Sequence, residues 1–105
     1  MQYRLMNDYG VDWPLWWNEG GAPDGEPPLP PRLTADIRKW AATFNALYSY
    51  ETGWPDARTG REQRVEGERL ATAIARELSP DDFVELQYWE TNDAGGSYWE
   101  TQQLR

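Results

Sequence analysis

Trp13, Trp16 and Trp17 lie within five consecutive positions, in a segment edged by Asp8, Asp12 and Glu19. An indole combines a large apolar face with a single N–H donor, and tryptophan is enriched at the energetic centres of protein interfaces. Carboxylates beside such rings select for positive charge. Asp8, Asp12, Trp13, Trp16, Trp17 and Glu19 therefore form a candidate docking site for a cationic partner. In the competing reading the three rings fold back and close one end of the core. A carbohydrate or an aromatic small molecule could also stack there, but no second motif supports it.

The other chemistry within reach is that of carboxylates. A pair such as Asp8 and Asp12 can exchange protons or hold Mg²⁺ or Ca²⁺, yet acid pairs arise readily by chance in a chain with eighteen Asp and Glu. The chain has no His and no Cys. That removes His-based triads, thiolate nucleophiles, disulfides and both favoured zinc ligands. There is no phosphate-cradling glycine loop ending in Lys-Ser or Lys-Thr, and no nucleophile elbow. Glu90, Asn92 and Asp93 bring oxygens to one turn, but their spacing does not fit a calcium loop and suits a plain turn. The expectation is no catalytic residue, no metal site and no cofactor: a protein that binds rather than an enzyme.

Charge narrows the partner. Eighteen Asp and Glu face ten Lys and Arg, a formal net charge of -8. Phosphate repels such a chain, so direct nucleic-acid binding and anionic membrane surfaces are disfavoured. A basic protein partner is favoured, because complementary fields speed encounter. Acidity that serves only solubility is the plainer reading. The start carries no basic region followed by an apolar run, and no apolar stretch reaches the length of a membrane span. A cytoplasmic location is the default expectation.

These residues must be positioned by a small number of elements. The length of 105 residues suits a single domain over 1–105. Residues 2–9 read as a strand with Tyr3, Leu5 and Tyr9 on one face, which Asn7 breaks. Residues 10–33 hold six prolines and are irregular, with 10–18 packing or binding and 19–31 forming a mobile proline- and glycine-rich loop. Residues 34–51 form a helix capped by Thr34, with a stripe of Leu33, Ile37, Trp40, Ala41, Phe44, Leu47 and Tyr48. Residues 59–78 form a second helix, with Thr59 and Glu62 as a capping box and Gly67, Ala71 and Ala75 allowing close approach. Its outward side, with Val65, Arg69, Thr72 and Arg76 among Glu62, Glu66 and Glu68, is a rival surface. Residues 83–90 alternate as a strand, 92–96 turn, and 97–103 return. The fold class is α+β: a three-stranded, mostly antiparallel sheet with a two-helix hairpin on one face, in the order β-α-α-β-β. A free strand edge there would support a monomer or a homodimer paired through that edge.

The opening Asp8-Tyr9-Gly10-Val11-Asp12-Trp13-Pro14-Leu15-Trp16 resembles the start of a group of short, acidic actinobacterial proteins, and the likeness extends through the aromatic first helix to Gly53-Trp54. In size and charge alone the chain resembles the immunity proteins that neutralise bacterial toxins. That resemblance implies a small inhibitor that blocks a basic enzyme, such as a nuclease toxin. The alternatives are a phage or host regulator that mimics the charge of DNA, and a metal-dependent hydrolase using Asp8 and Asp12.

Overall fold

A computed structural model describes residues 1–90 and the backbone of 100–103. The elements run β1 (Gln2–Leu5), β2 (Leu15–Trp17), β3 (Gly20–Gly21), α1 (Pro31–Leu47), α2 (Ala57–Glu77), β4 (Phe83–Tyr88) and β5 (Glu100–Gln103). They build one α+β layer pair. The sheet has five strands in the order β3-β2-β1-β4-β5. The expected turn at 92–96 and the first part of the expected strand 97–103 lie outside the described residues.

The three expected strands are present as β1, β4 and β5, but two more extend the sheet from the aromatic segment. Leu15-Trp16-Trp17 pairs antiparallel with β1, with Leu5 opposite Leu15 and Arg4 opposite Trp16. Trp16 and Trp17 pair in turn with Gly21 and Gly20, so Asn18 and Glu19 form a two-residue hairpin loop. No local signal marks these strands. Leu15 to Trp17 does not alternate, and glycine has low strand propensity; pairing with β1 decides the matter. The other difference is direction. β1 runs parallel to β4, with Tyr3 opposite Val84 and Leu5 opposite Leu86. A parallel pair needs a long crossover, and β2, β3 and the helical hairpin supply it. β4 pairs antiparallel with β5.

Both helices begin earlier than their sequence signals. α1 starts at Pro31, whose fixed φ suits the first helical position and whose missing N–H costs nothing there. Thr34 falls inside the first turn, where its hydroxyl donates to the Leu29 carbonyl at 3.4 Å. α2 is capped by Asp56, which accepts from the Thr59 amide at 2.7 Å. The carboxylate of Asp56 displaces the expected Thr59 capping box, and Thr59 becomes the residue being capped.

The main core lies between the helices and the sheet. Leu33, Ile37 and Trp40 of α1 and Leu70, Ala71 and Ile74 of α2 meet Tyr3, Leu5, Leu15, Val84, Leu86 and Tyr88. Period-two alternation puts Arg4, Trp16, Glu85 and Gln87 on the opposite face. Two glycines of α2 are required by close packing. A Cβ on Gly67 would lie 2.9 Å from Trp40 Cζ2, and one on Gly60 would lie 2.8 Å from Trp54 Cδ1. The helices are also tied by a reciprocal pair: Trp40 Nε1 donates to the Gln63 carbonyl at 2.9 Å, and Gln63 Nε2 donates to the Trp40 carbonyl at 3.2 Å.

A second, aromatic cluster closes the end of the molecule where α1 stops and β4 finishes. Phe44, Tyr48 and Trp54 are buried there, with Trp89 packed against them. Phe44 and Tyr48 stack at 5.3 Å, and Trp54 meets Tyr48 edge-on at 5.0 Å. Trp54 Nε1 donates to both the Tyr88 hydroxyl and the Glu90 carbonyl, while the Tyr88 hydroxyl donates to the Gly60 carbonyl. The buried polar tips of Trp54 and Tyr88 thus find partners, as such tips must.

Candidate functional site

The six sequence-selected residues occupy three different environments. Trp13 belongs to the core, only 5% exposed. Its Nε1 donates to the Glu26 carbonyl at 2.9 Å, and the Arg38 guanidinium lies 4.9 Å above its ring. Arg38 is in turn held by two hydrogen bonds to Asp24, at 2.8 and 3.2 Å. Trp13 thus fastens the segment between β3 and α1 onto the helix, which is the capping role.

Trp16 and Trp17 alternate along β2 and so leave the strand on opposite faces. Trp17 packs half-buried against the main core, where its Nε1 has no hydrogen-bond partner among the described residues. Trp16 stands half-buried on the face away from the helices, and its Nε1 donates to the Met6 carbonyl at 2.8 Å. Glu19 is exposed at the tip of the β2–β3 hairpin, and Asp12 is exposed within the β1–β2 connection. Asp8 is half-buried, and its Oδ1 accepts from the Tyr9 amide at 2.8 Å. Asp12 acts on Arg38 through its charge, whereas Asp8 faces Tyr9. Among the described residues no three acidic side chains converge on a point where a metal ion would sit.

What the fold assembles around Asp8 is a site that includes residues from both ends of the chain. Beyond Leu5 the chain leaves β1, but its carbonyls are still bridged on either side. Trp16 donates to Met6 O from the β2 side, and Trp89 Nε1 donates to Asn7 O at 2.8 Å from the β4 side. The backbone ladder itself reaches Met6, whose N–H donates to the Pro14 carbonyl at 2.9 Å, and the two indoles take the carbonyls of Met6 and Asn7. The connection beyond is pinned by Asn45 of α1, which accepts from the Gly10 amide at 2.7 Å and donates to the Val11 carbonyl at 3.1 Å. Gly10 has φ +75°, a conformation that side chains rarely adopt.

Met6, Asn7, Asp8, Tyr9 and Trp89 line a recess of about 290 Å³ at this end. Tyr9 is 49% exposed and meets Trp89 nearly edge-on at 5.7 Å. Beneath lies Glu90, which is buried rather than part of an exposed turn as its sequence position suggested. Trp89 and Glu90 follow directly from β4, and the aromatic cluster draws them inward. Burial pushes the Glu90 carboxyl up to about 7; the neighbouring Asn7 side chain and the Trp89 amide pull the other way. The Glu90 Oε1 and the Asn7 Oδ1 are buried with no hydrogen-bond partner among the described residues. The Tyr9 hydroxyl is raised by its own burial, and further by the charges of Tyr48, Asp8 and Glu90.

A family model matches residues 1–91, from β1 through Glu90. The chain belongs to the Serratia CdiI immunity protein-like family. No curated protein matches the chain. For this CdiI-like chain, the match spans the aromatic segment, both helices, β4 and the recess. The immunity-protein character expected from size and charge is accordingly the character of its family. Of these residues the sequence marks Asp8 and Trp16 as docking candidates and Glu90 only as a turn oxygen, while Asn7, Tyr9 and Trp89 carry no functional signal there. The run Asn7-Asp8-Tyr9 offered a hint, since two polar residues there interrupt the strand pattern. Nothing local linked it to Trp89, eighty-two positions from Asn7.

Proposed function

We propose that this protein is the immunity partner of a contact-dependent inhibition toxin, neutralising it by binding and not by catalysis. The observation that carries this reading is the family match over residues 1–91. The net charge of -8 supports a basic toxin domain, of which a nuclease is the leading case, since its substrate-binding surface must itself be positive. The docking face we assign is the β1–β2 end: Trp16 as the aromatic anchor, with Asp8, Asp12 and Glu19 as its acidic surround. Trp17 and Trp13 hold that face from beneath.

A general mimic of DNA charge is less well supported. Arg69 pairs with Glu66 at 2.7 Å and with Asp36 at 3.0 Å, and Arg58 pairs with Glu62 at 3.4 Å. These ion pairs break up the acidic rows on the helices that such a mimic would present.

The test is co-expression with the toxin domain encoded beside the gene, together with calorimetric titration of the purified pair. Rescue of growth and a complex that weakens as salt is raised are expected. Failure to bind that toxin and to restore growth, in a chain shown to be folded, would refute the assignment.

A further inference from the structure

The geometry points to the recess lined by Asn7, Asp8, Tyr9 and Trp89 as a receptor for one cationic side chain, an arginine or lysine presented by the partner protein. This rests on the toxin-binding reading and names the group that the toxin would insert. Five observations carry it. The recess is small, about 290 Å³, at the lower end of the range for ligand pockets, and so suits a single side chain. Two of its walls are aromatic, Tyr9 and Trp89, with ring centroids 5.7 Å apart. Faces and edges of this kind bind the stem and head of a long cationic side chain. No basic residue is among the described residues that line it. Asp8 lines the recess, and Glu90 lies close enough for both carboxylates to act on the Tyr9 hydroxyl.

The fifth observation is Asn7. It lines the recess and is 1% exposed; its amide nitrogen is turned towards the Glu90 carboxyl, and its Oδ1 accepts no hydrogen bond among the described residues. A buried amide left in that state is costly. An incoming guanidinium or ammonium donates to the Asn7 Oδ1 and brings positive charge towards Asp8 and Glu90. The described walls of the recess are tied in place in advance. Trp89 is fixed by its bond to the Asn7 carbonyl, and the Tyr9 turn is fixed by Asn45 and by Asp8. Little ordering is needed on binding, which favours affinity.

The experiment is an NMR titration of the full, ¹⁵N-labelled chain with N-acetyl-argininamide, alongside N-acetyl-norleucinamide as a neutral probe of similar length. The Trp89 indole N–H and the Asn7 side-chain amide are expected to shift saturably with the arginine probe, roughly fivefold or more tightly than with the neutral one. Equal affinity for the two probes would overturn the assignment, as would shifts spread over the acidic helix faces. Toxin binding is then measured for Tyr9→Ala and Asp8→Asn, the second of which keeps the acceptor for the Tyr9 amide and so preserves the turn. Each is expected to weaken the complex roughly tenfold. Variants that hold the toxin as tightly as the parent chain would overturn this inference and leave the immunity function standing. A parent chain that binds no toxin would refute that function, while the arginine titration would still decide the chemistry of the recess.

Discussion

Replacing Glu90 by glutamine is expected to stabilise the protein at alkaline pH and to change little at acid pH. Glu90 is 1% exposed, with one carboxylate oxygen lacking a hydrogen bond among the described residues. Desolvation is the main reason its carboxyl moves from 4.5 to about 7. The folded chain thus holds this proton more tightly than the unfolded chain. The sign follows: the penalty is absent below about pH 4.5, grows as pH rises, and is complete above about pH 7. A displacement of that size corresponds to about 3 kcal/mol lost by the folded state at pH 8. Glutamine has nearly the same shape and no charge, so it avoids the loss. For a chain of this size the gain is on the order of 10 °C in Tm at pH 8. The assay is thermal unfolding of the parent chain and Glu90→Gln from pH 5 to 8.5. The absence of histidine keeps the window clear of imidazole titration, and the difference between the two curves cancels every other group. Asp24 and Asp56 are held below the usual carboxylate range, the first mainly by Arg38 and the second by the Thr59 amide, so their effects fall at the acid end. Two curves that run parallel across the whole range would refute the placement of a desolvated carboxyl at this position.

Four further outcomes follow. Gly67→Ala gains about 1 kcal/mol of helix propensity, but its Cβ would meet Trp40 at 2.9 Å and Leu86 at 3.2 Å. Trp40 is held by its bond to the Gln63 carbonyl, so overpacking of about 1–3 kcal/mol should prevail and urea unfolding should show net destabilisation. Asp56→Ala removes the α2 cap and should cost about 1 kcal/mol in the same assay, while Asp56→Ser should recover most of it. Trp13→Ala should cost about 3–5 kcal/mol by emptying a core position. Trp16→Ala should retain the native circular dichroism spectrum yet weaken the toxin complex; unchanged toxin affinity in that variant would exclude Trp16 as the anchor.

The elements that could be read in the sequence are those whose own residues repeat at the right interval. The α1 stripe from Leu33 to Phe44 and the alternation of Val84, Leu86 and Tyr88 each bury a face of the core. The helix starts were less legible because Pro31 and Asp56 compete with Thr34 and Thr59, and the earlier signal wins in both cases. β2 and β3 were not legible, since Leu15-Trp16-Trp17 and Gly20-Gly21 become strands only through pairing with a partner elsewhere. The parallel pairing of β1 with β4 is likewise set by the whole chain and by no short segment.

The candidate site follows the same division. The indole-rich segment contains residues of every kind the structure uses: Trp13 as a core filler, Trp17 as a half-buried wall, and Trp16 as a ring on the open face. Composition could not separate them, because the separation depends on strand alternation in β2 and on where Glu26 and Met6 place their carbonyls. The decisive arrangement is long-range. Trp16 and Trp89 approach the chain beyond β1 from opposite sides and take the carbonyls of Met6 and Asn7, so beyond the Met6–Pro14 backbone bond side chains bind this stretch. A strand that ended in open backbone there would offer hydrogen bonds to any extended chain. One that ends between two indoles, above Asn7 and Glu90 and beside Asp8, offers a walled recess and negative charge. On the proposed reading, discrimination comes from the shape and charge of a single inserted group, the kind of recognition an immunity protein needs to bind one toxin and leave others alone.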